Sequence, residues 1–199
     1  MSIQNILTSQ MKNLYKKKYI SPRDGNISFK PRNSDYFYIT AGSVLKPKMT
    51  NEHIVKVFFN NVKTTVDKKS LHKPSRELNM HYYLQRNPLY HSKDIFVVHV
   101  HPPNSIAYMG LNKQNIQLKS IQDKFPEMNV GIIGKNVPFL EAGTDELAQA
   151  CSDNLYTPYT MIGLKQHGTL SIGSDINEIV EHLETLEYYL DIYFKSTSM

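Results

Sequence analysis

Two histidines separated by a single valine, His99 and His101, follow the apolar run Ile95-Phe96-Val97-Val98 and precede Pro102-Pro103. The run is short, continuous and rich in β-branched residues, so it predicts a buried strand that the two prolines terminate. Residues i and i+2 of a strand share a face, which sets the two imidazoles side by side with Cα atoms roughly 6–7 Å apart. Such a pair can converge on one ion at a strand end, where α/β proteins place their chemistry. It is equally compatible with two structural histidines. His167 stands in a similar context, at the end of the apolar stretch Tyr159 to Leu164 and beside Gly168. Three histidines at strand ends can fill three positions of a tetrahedral zinc site and leave the fourth to substrate. Glu77 is a candidate carboxylate, able to ligate the metal when the site is empty and to act as base when substrate displaces it. Spacing alone does not bring Glu77 to the histidines.

Regular elements must position these groups. Residues 3–18 carry a helical apolar stripe (Ile3, Ile6-Leu7, Met11, Leu14) that ends in Lys16-Lys17-Lys18. After the turn cluster Ser21 to Gly25, residues 26–30 and 36–40 predict a hairpin. A helix start or single helical turn is expected at Thr50-Asn51-Glu52. Two further strands follow, Val55 to Phe59 and Val62 to Val66, joined by a turn at Asn60-Asn61. Pro74-Ser75 opens a helix over 76–86 with Ser75 as its N-cap, and Asn87-Pro88 ends it. Beyond the histidine strand comes a helix from about Ser105, then a polar stretch in which Ile116 to Phe125 reads as a short helix or lid. Val130 to Ile133 and Val137 to Leu140 are expected to be short strands. Thr144 or Asp145 caps a helix that runs through Cys151 to Leu155. Strands at 159–164 and 169–172 precede the clearest helix, from Asp175 to about Lys195, with Asp175 and Glu178 placed as a capping box.

The chain has 199 residues, 40% of them hydrophobic, enough for one domain with a sizeable core. A net charge of +5 is modest and spread out, without the basic stripe and interleaved aromatics of a nucleic-acid binder. It suits small phosphorylated or carboxylated substrates. Cys151 is the only cysteine, so neither an internal disulfide nor an all-cysteine zinc site is available. No signal peptide or membrane span is read from the sequence, and a cytoplasmic protein is expected. His81, four residues after Glu77, is expected to be a buried, hydrogen-bonded histidine. His53, His72, His91 and His182 are expected at the surface, and Tyr188, Tyr189 and Tyr193 in helix packing.

Taken together, four segments resemble the class II aldolase/adducin family in its own order. They are Gly25-Asn26-Ile27-Ser28, Thr40-Ala41-Gly42-Ser43, Pro74-Ser75-Arg76-Glu77 with Met80-His81, and His99-Val100-His101-Pro102-Pro103. Glu141-Ala142-Gly143-Thr144, His167-Gly168 and the long C-terminal helix complete the resemblance, which covers nearly the whole chain. It implies a single α/β domain over residues 1–199, a three-layer α/β/α sandwich with a central, largely antiparallel sheet. It implies zinc on His99, His101 and His167, with Glu77 as catalytic acid/base. Asn26, Thr40, Gly42, Ser43, Ser75 and Arg76 would border a pocket for the substrate phosphate. A homotetramer with its sites at subunit boundaries is implied as well. The expected activity is a zinc-dependent aldolase acting on a small ketose phosphate, with a 4-epimerase or a methylthioribulose-phosphate dehydratase as alternatives on the same site. A non-catalytic, adducin-like binding module is the alternative of another class. Members of the family often carry glycine where Ser43 stands and a small hydroxyl where Arg76 stands. Some also use a tyrosine as proton donor in the region of 118–126; none occurs there, and Asp123 is the nearest titratable substitute.

Overall fold

The computed structural model describes residues 1–59, 64–111 and 116–197. Among them, seven strands form one sheet: β1 (Asn26–Lys30), β2 (Tyr36–Thr40), β3 (Ile54–Phe58), β4 (Thr65–Val66), β5 (Ile95–Val100), β6 (Met161–Leu164) and β7 (Gly168–Gly173). Their order is β4-β3-β2-β1-β5-β7-β6, and every neighbouring pair is antiparallel. The helices are α1 (Ile3–Lys16), α2 (Leu78–Gln85), α3 (Pro103–Met109), α4 (Ser120–Lys124), α5 (Asp145–Asn154) and α6 (Ile176–Thr197). No described helix is long and apolar enough to cross a membrane.

Alternation along the strands divides the helices between two faces. Phe96, Val98 and Val100 of β5 share a core with Leu7, Met11 and Leu14 of α1, Tyr108 of α3, and Leu183, Leu186 and Leu190 of α6. Ile95 and Val97 point the other way, into a core with Met80 and Leu84 of α2 and Leu147, Ala148 and Cys151 of α5. Helices on both faces of an antiparallel sheet make the α/β/α sandwich. β5 sits inside the sheet, between β1 and β7, and is buried along its whole length.

Several elements differ from the expectation. The first helix stops at Lys16, because Lys18 adopts φ 62° and a helix cannot continue through the left-handed region. The turn at Asn60-Asn61 and the first part of the strand expected over Val62 to Val66 lie outside the described residues. Val130 to Ile133 and Val137 to Leu140 are not strands. Each makes one isolated parallel bridge, Ile133 to Met161 and Val137 to Leu164, so these apolar residues cover the β6 edge without extending the sheet. α2 begins at Leu78, and Ser75 is not its N-cap. Glu77 occupies the cap position at φ −92° and ψ 23°, while Ser75 Oγ accepts the Glu77 N–H at 3.3 Å. Thr144 does cap α5, its hydroxyl accepting the Leu147 N–H at 3.2 Å.

Candidate active site

Strand pairing brings the chemistry together. Within the sheet, His99 lies between Asn26 of β1 and Leu170 of β7. His167 precedes Gly168, and a Cβ at that glycine would fall 2.2 Å from the Val100 carbonyl oxygen and 2.9 Å from Cδ2 of His101. Only glycine allows this approach, which carries the third imidazole over the end of β5. The three ring centroids are 4.7–5.0 Å apart. One nitrogen from each ring lies within 4.8 Å of the others.

The outward nitrogens settle what the inward ones offer. His99 Nδ1 donates to the Thr169 carbonyl at 2.9 Å, and His101 Nδ1 lies 3.3 Å from Asp24 Oδ2. A carbonyl and a carboxylate accept only, so both Nδ1 atoms carry the protons. Both Nε2 lone pairs then face each other, 2.9 Å apart. Burial pushes His99 down to about 4, and pushes His101 down as well against the pull of Asp24, so both rings are neutral at neutral pH. Two neutral donors aimed at one point, each held from behind by a carbonyl or carboxylate, are how proteins present imidazole to a metal ion. The residues present fit such an ion.

Glu77 is 8% exposed and completes the cluster. Its Oε2 accepts from Asn26 Nδ2 at 2.8 Å and lies 3.3 Å from His99 Nε2. Oε1 is buried, 3.3 Å from His167 Nε2, and receives no hydrogen bond among the described residues. Burial pushes the Glu77 carboxyl up, but His99, His167 and the Asn26 amide outweigh it and hold it below the usual carboxylate range. An ionised oxygen without a donor beside an imidazole is the atom free to take a proton.

A cleft of about 310 Å³ opens above this cluster. Asn26, Gly42, Ser43, Ser75, Arg76 and Glu77 line it, together with His101 and His167. His99 is fully buried beneath. Thr40 does not line the cleft; its hydroxyl accepts the Ile27 N–H at 3.2 Å and its carbonyl accepts the Ser75 N–H at 3.1 Å, so it holds Ser75 from behind. Asn26 lines the cleft but commits its amide to Glu77 and His81. Ser43 sits at φ 58°, a conformation that favours glycine, and its carbonyl accepts from Arg23 Nη1 at 2.7 Å. Asp123 is exposed on α4 and does not line the cleft.

Three residues that line the cleft, Arg23, Asp24 and Lys46, escape sequence reasoning. Asp24, which orients His101, is implied by register alone: antiparallel pairing of Asn26 with His99 sets residue 24 opposite 101. Lys46 is 1% exposed and lines the cleft, and burial pushes its amine down to about 8 against the pull of Asp24. Its flanks, Leu45 and Pro47, gave no sign that a lysine there would be buried.

Comparison with known proteins identifies the family and the fold. The model for the class II aldolase and adducin N-terminal domain matches residues 6–194. An L-fuculose phosphate aldolase of Methanococcus maripaludis is 32% identical, over 87% of this chain and 86% of its own. A methylthioribulose-1-phosphate dehydratase of a Sulfurihydrogenibium species is 26% identical, over 94% of this chain and 87% of its own. The crystal structure of a sugar-phosphate aldolase from Thermotoga maritima shares the fold, with a TM-score of 0.79 at 21% identity, covering 98% of this chain and 94% of that one. The chain belongs to the class II aldolase and adducin N-terminal domain family.

Proposed function

We propose that this protein is a zinc-dependent aldolase that cleaves a small ketose phosphate into a three-carbon ketone phosphate and an aldehyde. The observation that carries the reading is Glu77 Oε1, a buried carboxylate oxygen without a donor among the described residues, 3.3 Å from His167 Nε2 on the floor of a cleft of about 310 Å³. His99, His101 and His167 would hold the zinc ion, with Glu77 as a fourth ligand until substrate enters. When bound, the metal supplies a Lewis acid that polarises the substrate carbonyl. Glu77 exchanges the proton on the carbon next to that carbonyl, giving it up in cleavage and taking it in synthesis. Arg76 and Lys46, at the rim and wall of the cleft, offer cations to the phosphate, and Ser75, Ser43 and Gly42 offer hydroxyls and backbone N–H groups. This anchoring fixes the reacting carbons over Glu77. The likeness to the fuculose-phosphate aldolase supports this chemistry. We place the enzyme in the cytoplasm as a homotetramer.

A second reading uses the same base. A dehydratase also removes a proton next to a carbonyl and then expels hydroxide, and the likeness to the methylthioribulose-1-phosphate dehydratase favours it. An interaction module has no use for a buried carboxylate among three converging imidazoles. Mass spectrometry of products from a panel of ketose phosphates, with and without added zinc, separates these readings. Lysis gives two fragments, dehydration the loss of one water, and no product in any arm refutes both.

A further inference from the structure

Glu77, His81 and Gln85 follow one another at intervals of four residues on α2 and its cap, and Asn26, Ser28 and Lys30 at intervals of two on β1. Four helical residues rise about 6.0 Å and two strand residues about 6.6 Å, so the two rows stay in step where the helix crosses the strand. Asn26, Ser28, His81 and Gln85 are all buried. Such a polar row beneath a helix is costly unless each member is hydrogen-bonded.

The bonds form one continuous chain. Gln85 Nε2 meets Ser28 Oγ at 2.8 Å, Ser28 Oγ meets His81 Nδ1 at 2.7 Å, His81 Nε2 meets Asn26 Oδ1, and Asn26 Nδ2 meets Glu77 Oε2 at 2.8 Å. Its polarity follows from its ends. Gln85 Nε2 also donates to the Ile95 carbonyl at 3.3 Å, which can only accept, so the amide orientation of Gln85 is set. At the other end the Glu77 carboxylate can only accept, so Asn26 presents its NH₂ to Glu77 and its carbonyl oxygen to His81. His81 must therefore donate from Nε2, leaving Nδ1 to accept the Ser28 hydroxyl proton. Both ends demand the same tautomer, and every proton points toward Glu77. Bonds aligned in this way polarise one another.

We propose that His81 is a positioning residue for Glu77: acting through Asn26, it holds the Oε2 atom so that Oε1 stays turned toward the histidine cluster without a donor of its own. This deepens the assignment of Glu77 as the acid/base and rests on it. Asn26 alone could rotate and present its carbonyl oxygen to the carboxylate. His81, fixed in one tautomer by Ser28 and Gln85, forbids that rotation.

The test combines four variants with one spectroscopic measurement on the zinc-loaded protein, using the ketose phosphate found active in the product screen. In ¹⁵N-histidine-labelled wild type, His81 should show a protonated Nε2 and an unprotonated Nδ1 from pH 6 to 9. The opposite tautomer overturns the proposal without any variant. His81→Leu should lower kcat about 10–100-fold, as loss of an outer-shell partner does, with KM and zinc content unchanged. His81→Gln places an amide N–H near the Nε2 position and should recover most of the kcat. His81→Leu combined with Glu77→Gln should lose no more than Glu77→Gln alone, because the two act as one unit. Full multiplication of the two losses, or an unaltered kcat in His81→Leu, overturns the role of His81. An unaltered rate in Glu77→Gln itself instead overturns the assignment of the base, and so the two failures are told apart.

Discussion

His99 and His101 point Nε2 at Nε2 across 2.9 Å, although each has given its ring proton to a partner behind it, Thr169 for one and Asp24 for the other. Two lone pairs so placed repel, and a divalent cation that both can reach removes the repulsion. Purified protein should contain about one zinc per chain. Added zinc at a hundred times its dissociation constant should stabilise the fold by about 2.7 kcal/mol, seen as a rise in Tm. His99→Ala should abolish both the zinc and the rise. Asp24→Asn should weaken zinc binding by about 10–100-fold. Full zinc content in His99→Ala would locate the ion elsewhere.

Glu77→Gln keeps the shape of the side chain, and either orientation of its amide can be tested against Asn26. Turnover should fall by roughly 10²–10⁴-fold, the usual contribution of a general acid/base group, while the zinc content measured by elemental analysis stays at one half or more of wild type by order of magnitude (roughly 0.5–1). A rate within threefold of wild type, on the order of experimental scatter, would remove Glu77 from the reaction.

Much of this was legible in the residues because it depends on local pattern. Ile95 to Val100 is a strand in the structure as its β-branched run and closing prolines require, and its alternation puts His99 on the α2 face. The apolar runs at Val130 to Ile133 and Val137 to Leu140 misled because burial does not require a ladder; Val130, Ile133 and Val137 are buried beside β6 outside any strand, while Ile132 and Phe139 are exposed. Asp24 and Lys46 were missed because their roles arise from pairing between distant segments. Asp24 meets His101 only through the β1–β5 register, and Lys46 reaches the cleft through a helical turn whose Lys46 N–H donates to the Pro22 carbonyl at 2.8 Å. Thr40 shows the converse: its sequence neighbourhood suggests a ligand contact, and its hydroxyl faces β1 instead.

Ser43 carries the cost of a left-handed backbone at φ 58° without being glycine. Ser43→Gly should raise stability by about 1 kcal/mol, read from urea midpoints at constant m. It should leave the Arg23 contact to the residue 43 carbonyl intact, since that bond uses backbone only. A loss of stability would mean that the Ser43 hydroxyl contributes more than the strain costs.

Arg76 is exposed at the cleft rim and next to the cap of α2, where a cation gains nothing from the helix dipole. If it pairs with the substrate phosphate, Arg76→Ser should raise KM with little change in kcat, because anchoring binds ground and transition states alike. The loss should be about 1.5–3 kcal/mol, and zinc content should not change. An unaltered KM in low salt would assign Arg76 to the surface.

Lys46 offers the sharper pH signature, because burial holds its amine at about 8 in the folded chain against an ordinary value of 10.5. Between those two values the unfolded chain binds the extra proton and the folded chain does not. Stability contributed by this group is therefore lowest below pH 8, where the buried amine is charged, and rises as pH increases from about 8 to 10.5. Lys46→Met should remove that rise, measured by urea unfolding across the window. A bound phosphate reverses the preference, since it favours the charged amine. A phosphate monoester is already fully dianionic by then, its second pKa being about 6, so any loss of affinity above pH 8 belongs to the protein. Wild-type affinity for a simple alkyl phosphate should fall as pH passes 8, with proton uptake on binding seen as a buffer-dependent heat. Lys46→Met should bind about 10–100-fold more weakly at pH 7, the equivalent of one charged hydrogen bond, and should show neither the fall nor the proton uptake. Equal affinity and an equal pH profile in wild type and Lys46→Met would show that the phosphate sits beyond the reach of Lys46 and rests on the other groups of the cleft, Arg76, Ser75, Ser43 and the backbone at Gly42.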